Sequence, residues 1–434
     1  MSGSTKLKAE RAAIASSCCG FLGEAALTDS AVIILFAGAL GAGDMLSMIT
    51  TAVLPLFNGL LIIPMACFSA RVGVRRLAAG ACLPAALAYF TAVSAPFWGA
   101  FSVAALIGSI LLFSLSLTGF VAGWFPLLDS FLTPERRAGF LGRMRFCHQL
   151  AAVIFLLSAG VLIGRDPPLW KLQAVLLAGA VIFLGRPLFI AKIPGFPMPE
   201  SGGRGFAAGL AAAAGNRALA GFSVYQMMLN LAVFGTVPLC ALYLKNGLKA
   251  PDNVIVFISA AALTGMLAGY LCASKLISFC GMRNSFLLLH ALCLPANICL
   301  FFIADGSAAV FVIITLLLML TGFSIAASSV LCSAEMMALS APDNKVMSMA
   351  LCGAFYYGSA GLSRVVTSLV LGTGLLAAEW SLGGLRVCRY QTVFLIYAAA
   401  AVFAGLFLIL IPAFHSEKQR AWRRRSLMIP AARG

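Results

Sequence analysis

Hydrophobic residues in this chain come in long runs, and most of its polar residues fall in short gaps between them. Twelve runs stand out, at about 12–40, 46–70, 77–95, 98–126, 144–164, 170–190, 219–244, 254–278, 285–304, 308–338, 347–374 and 390–413. At ~1.5 Å per residue each is long enough to cross a ~30 Å hydrocarbon layer as a helix. The runs lack the strict alternation of a transmembrane barrel strand. Lipid leaves no third choice, because unpaired backbone groups cannot face hydrocarbon. The pattern therefore predicts an all-α membrane protein of twelve transmembrane helices. The longest polar gap, "AKIPGFPMPESGGRGFAAG", divides it six and six. That gives an N-terminal six-helix bundle over 1–190, a cytoplasmic linker over 191–218, a C-terminal six-helix bundle over 219–413 and a basic cytoplasmic tail over 414–434.

Composition agrees. Of 434 residues, 62% are hydrophobic and 10% charged, against about a quarter charged in soluble domains. The 13 cysteines fall almost entirely within apolar runs, where they act as small apolar filler rather than a disulfide framework. The formal charge of +16 does not point to nucleic acid, because the charges lie between runs and no zinc-finger, P-loop or dinucleotide motif accompanies them. They set orientation instead. With the N-terminus inside, 23 of the 30 basic residues lie in inner segments. Arg165, Lys171, Lys245, Lys249, Arg386 and Arg389 lie outside, and Arg364 lies within a span. Both ends are then cytoplasmic, and the tail "KQRAWRRRSL" sits against anionic lipid headgroups at the inner face. Lys6, Lys8 and Arg11 precede a run with no early cleavage site, which reads as an uncleaved first helix. A bacterial inner membrane is the expected location.

Two loops repeat. Gly73 and Arg75 recur as Gly281 and Arg283, 208 residues later. The same offset relates Pro134 to Pro342, Glu135 to Asp343 and Arg137 to Lys345. Matches in two loop pairs at one offset indicate a duplication of six spans, an architecture that places a ligand site between parallel halves near the midplane. The loop after the second run, "ACFSARVGVRR", resembles the major facilitator superfamily pattern Gly-x-x-x-Asp-Arg-x-Gly-Arg-Arg/Lys. Arg71, Gly73 and Arg75 fit it; Ala66, Ala70 and Val74 depart from it. "LLDSFLTPERRAGFLG", with Asp129, Glu135, Arg136, Arg137 and Gly139, is also similar to that family. The resemblance covers essentially the whole chain and implies a secondary transporter working by alternating access. It implies a cytoplasmic gate built from Arg71, Gly73, Arg75, Asp129, Glu135 and Arg137, with Asp129 as the expected partner of Arg75. The missing acid at position 70 departs from the family's inner charge network.

Charges inside runs are the candidate chemistry. Glu24 and Asp29 lie near the middle of the first span, where a charge costs about 2.5–3.5 kcal/mol on insertion scales and needs a partner or a wet cavity. They are five residues apart, about 140° around a helix, so they cannot both point squarely into one cavity. Glu24 shares a stripe with Ser17, Gly20 and Thr28 and is expected to face the pathway. Both acids are candidate proton-coupling residues. Thr28, Asn58, Gln226, Asn230, Tyr356 and Arg364 are candidate substrate-binding residues; each can equally serve helix packing. Arg364 either snorkels to the surface or turns inward to pair with a substrate anion or Asp29. His148 is a candidate proton relay. No cofactor or metal is implied.

These features predict a monomeric transporter of a small solute, coupled to protons or another ion. The Gly-Pro signature of the family's antiporters is missing from "AAVIFLLSAGVLIGRD". A drug or metabolite exporter, a non-transporting sensor on a transporter body and a membrane-embedded enzyme are the competing readings. Only three histidines, His148, His290 and His415, are present, and no dense His/Asp/Glu cluster supports the enzyme.

Overall fold

The computed structural model describes residues 3–129, 131–132, 134–194, 206–340 and 345–410. Within helices and strands, the side chains of residues 3–4, 66–67, 69–71, 125–126, 129, 134–139, 206, 337, 345–346 and 385 are outside the described set. The chain is an all-α membrane protein. Its helices are α1 (Gly3–Thr28), α2 (Ala31–Ala39), α3 (Asp44–Val72), α4 (Val74–Val93), α5 (Ser102–Asp129), α6 (Pro134–Ile163), α7 (Leu169–Phe183) and α8 (Gly185–Ala191). There follow α9 (Phe206–Gly215), α10 (Arg217–Val233), α11 (Thr236–Leu242), α12 (Asp252–Phe302), α13 (Ala308–Leu339), α14 (Lys345–Gly372) and α15 (Arg389–Leu410).

Among the described residues nine helices are long and apolar enough to cross a membrane, and α1 with α2, bent by 41°, makes a tenth. The 51-residue α12 holds two crossings, because Gly281 breaks it with φ 76° and ψ 167°. The 28-residue α14 is long enough too, but with Arg364 and its serines at its middle it is not among the nine. Twelve crossings are thus accommodated. Large apolar side chains such as Leu83, Leu87, Val161, Leu188, Leu316 and Phe403 stay exposed on the outer faces of the helices, as a lipid-facing belt requires.

Three details depart from the expected layout. The first span is broken, with Asp29 and Ser30 between its pieces. The linker region carries the short helix α9. Between α14 and α15 a hairpin pairs β1 (Glu379–Leu382) with β2 (Leu385–Cys388). Its two-residue loop, Gly383–Gly384, has φ of 56° and 89°, the positive values that a tight hairpin turn needs. The face bearing this strand pair is called the hairpin side below, and the face bearing Gly73 and Gly281 the loop side.

The two loops flagged by the repeat share a geometry. Gly73 has φ 94° and Gly281 φ 76°, a conformation that side-chain-bearing residues rarely adopt. Arg75 Nη2 donates to the carbonyl of Ala191, the last residue of α8, at 2.7 Å. Arg283 Nη2 approaches the carbonyl of Ile409, one residue from the end of α15, at 3.4 Å. Each arginine thus serves exposed carbonyls at a helix C-terminus, where the helix dipole favours a cation. The described partner of Arg75 is therefore a helix end. The Asp129 side chain lies outside the described residues, as do those of Arg71, Glu135 and Arg137.

Gly73→Ala is expected to lower thermal stability in detergent by the equivalent of about 1–3 kcal/mol, the strain of a disallowed backbone. Gly80→Ala, on the open face of α4 where an added methyl meets nothing within 4 Å, should leave the melting temperature unchanged or slightly raised. Equal melting shifts in the two variants would contradict the role given to Gly73.

Candidate functional site

Glu24 and Arg186 form the deepest ion pair, Arg186 Nη2 to Glu24 Oε2 at 3.0 Å. Glu24 sits on α1 and Arg186 on the short α8. The side chain of Arg186 is 3% exposed and that of Glu24 22%. Space for the guanidinium is made by Gly20, one turn before Glu24. A methyl on Gly20 would lie 1.5 Å from Arg186 Nε. On its other side the guanidinium carbon stands 4.1 Å from the centre of the Phe120 ring, a cation–π contact. Among the described residues, Nε and Nη1 of Arg186 have no acceptor. Arg186 was not among the sequence candidates, although it pairs with one of them. It falls inside the span predicted at 170–190, yet it was counted with the inner segments. Its place four residues before that span's end was the available signal.

Around this pair the bundle gathers further polar and aromatic groups. His148 on α6 accepts or donates at 2.8 Å to Ser17 Oγ and stacks on Phe21 with ring centres 4.2 Å apart. Arg145, also on α6, lies 6.0 Å from the ring centre of Tyr270 on α12. Tyr357 on α14 is close enough to Glu24 and Arg145 to feel their charges, and it meets Tyr356 edge-on at 5.3 Å. Glu24, Arg145, His148, Tyr270, Tyr356 and Tyr357 are all only partly buried. They lie at similar depth, about fifteen to eighteen residues from the hairpin-side ends of their spans, that of Glu24 being counted through α2. The cluster therefore draws on both the N-terminal part of the chain, residues 3–194, and the C-terminal part, residues 206–410.

Asp29 has a different place. In the break between α1 and α2, its Oδ1 pairs with Arg364 Nη2 at 2.6 Å. Arg364 is 6% exposed; it does not snorkel. It also donates to the carbonyls of Thr51 at 2.5 Å and Phe234 at 3.2 Å. One guanidinium thus joins α3 and the break after α1 to the segment after α10. Nearer the hairpin side a second cluster does the same. Asp44 Oδ2 takes Arg389 Nη2 at 2.6 Å and the Tyr390 hydroxyl, while its Oδ1 takes Asn246 Nδ2 at 2.6 Å. Ser368 Oγ donates to the Met45 carbonyl at 2.7 Å. The backbone nitrogens of Asp252 and Asn253 donate to the carbonyls of Arg165 and Gly164, both at 3.0 Å. Between these ties α3 and α14 touch through glycines. A methyl on Gly59 would come within 2.2 Å of the Gly358 nitrogen, and one on Gly361 within 2.4 Å of the Leu56 nitrogen.

The remaining sequence candidates divide. Thr28 bonds back to the Glu24 carbonyl at 2.8 Å and is buried, where it serves the helix itself. Asn58 Oδ1 accepts from Thr118 at 3.1 Å, which ties α3 to α5. Asn230 donates to the Tyr356 carbonyl at 2.9 Å and so positions α14. Gln226 is buried with its Oε1 unpartnered. Of the sequence candidates, Glu24, His148 and Tyr356 belong to the central cluster itself. Among the described residues no three His, Cys, Asp or Glu side chains converge as a metal-binding group.

Comparison with solved structures places this architecture. The nucleoside transporter NupG, as a variant, superposes with a TM-score of 0.68 at 15% identity, covering 93% of this chain and 99% of that one. A bacterial homologue of the human lysosomal transporter Spinster, inward-facing and unoccupied, gives 0.64 at 15% identity over 98% and 99%. A bacterial homologue of the iron transporter ferroportin, outward-facing, gives 0.60 at 15% identity over 93% and 98%. The chain has the major facilitator fold. At such identities the likeness speaks for the fold alone. No protein-family model matches the chain, and no curated protein matches it in sequence.

With that fold, the polar ties on the hairpin side have a direct test. Arg364→Gln and Asp44→Asn should each lengthen the distance between spin labels at Ala39 and Glu379, both exposed on the hairpin side, by several ångströms. Arg386→Gln, outside both clusters, should leave it unchanged. Unaltered distances in both test variants would show that these contacts do not hold that side shut.

Proposed function

We propose that the chain is a secondary active transporter that moves a small solute across a membrane by alternating access, coupled to protons through Glu24. The observation that carries this is the Glu24–Arg186 pair, held at mid-depth beside partly buried tyrosines contributed by the other part of the chain. The folds of solved transporters for nucleosides and iron are consistent with a small-molecule cargo. In this reading the N- and C-terminal parts are two bundles, related by the 208-residue repeat, that rock about the cluster. The excess of Lys and Arg on the loop side favours that side as cytoplasmic. The ties of Asp29, Asp44 and Ser368 then close the external face, and the state described is closed to the outside.

The coupling follows from electrostatics. A proton on Glu24 removes its charge and releases Arg186, and the two charge states of the cluster favour different packing of α1 against α8 and α14. Asp29 acts elsewhere: its pair with Arg364 closes the outer path. Arg75 acts as a brace at the end of α8 and is part of the loop-side gate, to which the sequence also assigns Arg71, Gly73, Asp129, Glu135 and Arg137.

Proteoliposomes carrying the full-length protein should accumulate at least one solute from a panel of radiolabelled nucleosides, sugars, amino acids and organic acids when a proton gradient is imposed. Glu24→Gln should lose accumulation, by tenfold or more, while exchange of the same solute across the membrane continues. No accumulation across the panel in the wild type, or full accumulation in Glu24→Gln, contradicts the proposal.

A further inference from the structure

The charges in the central cluster do not balance. Arg186 and Arg145 bring two positive charges, and Glu24 returns one negative. Among the described residues no carboxylate pairs with Arg145. His148 is held by Ser17 and Phe21 and needs no charge there. An unpaired cation at this depth is expensive, and a buried guanidinium with two idle nitrogens is an unmet hydrogen-bonding demand. Nη1 and Nη2 form the end of the planar fork that matches a carboxylate bidentately. Glu24 occupies only Nη2. Its geometry leaves the fork half used.

We infer that this cluster is the solute site and that it takes a monocarboxylate with an aromatic body, whose carboxylate replaces that of Glu24 on the Arg186 fork. A proton taken up by Glu24 frees Nη2; the incoming carboxylate then accepts from both Nη1 and Nη2. The proton stays on Glu24 while the solute is bound. One proton and one monoanion enter together, so the charge of the cluster is the same empty and loaded. A neutral solute would leave Arg186 unsatisfied once Glu24 is protonated. A dianion would change the net charge between the two states. Phe120, Tyr270, Tyr356 and Tyr357 supply flat apolar walls for a ring, and Arg145 a second positive charge within the site.

The groups facing Glu24 are compatible with this exchange. They are Arg186 from α8, Cys82 from α4, Tyr357 from α14 and Asp29, five residues on in the break of its own span; Arg145 from α6 lies near Tyr357, and His148 near Arg145 and Arg186. Arg186 is the only cation among the described residues that bonds to Glu24. The inference rests on the transporter reading for the meaning of the site, but its test needs binding alone, so it can fail while transport of some other solute stands.

The probe is benzoate, with uncharged benzamide as its control, titrated into the purified full-length protein and followed by thermal stabilisation and by calorimetry. Wild type should bind benzoate saturably at pH 5, about tenfold more weakly at pH 8, and benzamide at neither. Arg186→Gln should weaken benzoate binding about tenfold to a hundredfold, the loss of charge-assisted hydrogen bonds. Because that variant can misfold, Glu24→Gln is the decisive partner. It should bind benzoate at least as tightly as wild type at pH 5, and with the same affinity at pH 8. No saturable benzoate binding, equal binding of benzamide, or a pH dependence that survives in Glu24→Gln overturns the inference.

Discussion

A carboxylate and a guanidinium at mid-bilayer keep one another there. A charge at that depth is costly without a partner, and Glu24 and Arg186 each supply the other's. Their pairing imposes several local features. Gly20 must lack a side chain so that the guanidinium can lie against α1. Phe120 must present its ring face. The short α8 must be placed so that Arg186 points inward, and Arg75 anchors the end of that helix from the loop side. A pair of this kind contributes little net stability against a hydrophobic replacement. Its presence therefore argues for function, since packing alone would have been served as well by two apolar side chains.

The second ion pair obeys the same rule at a different place. Asp29 is available to Arg364 because the first span breaks between Thr28 and Ala31, which carries Asp29 out of the stripe occupied by Glu24. The counterpart break between α10 and α11 opens beside Phe234, whose carbonyl Arg364 also takes. Two broken helices and one arginine thus form a knot across the seam, and the Asp44 cluster forms another nearer the hairpin side. Glycine contacts between α3 and α14 bring the backbones close enough for both. The charged ties gather on the hairpin side, and beside them apolar residues of both parts, such as Ile33, Leu54, Leu239 and Val256, pack in one continuous core.

Much of this was legible in the sequence, for physical reasons. Bilayer thickness dictates run length, so the spans were readable from hydropathy, including the 254–278 and 285–304 runs that form a single bent α12. Gly73 and Gly281 were readable because a positive φ has few other solutions. That Glu24 and Asp29 would not face one cavity was readable from their angular separation, and they have different partners, Arg186 and Arg364. The broken first span was hidden because α2 is as apolar as any membrane helix and only two residues mark the gap. Arg186 was hidden because a cation near the end of a run looks like a topogenic charge, and depth depends on how the helix is set in the bundle. The hairpin was visible only in retrospect, in the Gly383–Gly384 pair between two four-residue strands. Asn58 and Thr28 looked like ligand contacts because sequence shows polarity but not whether a neighbouring helix already satisfies it.

The central claim is that Glu24 carries a proton in one working state and faces Arg186 as a carboxylate in the other. Infrared difference spectroscopy of the lipid-reconstituted protein between neutral and acidic pH reads this directly. The account predicts a band of a protonated, water-excluded carboxylic acid on acidification that vanishes in Glu24→Gln and persists in Asp29→Asn. A spectrum with no such band, or one unchanged in Glu24→Gln, would contradict it.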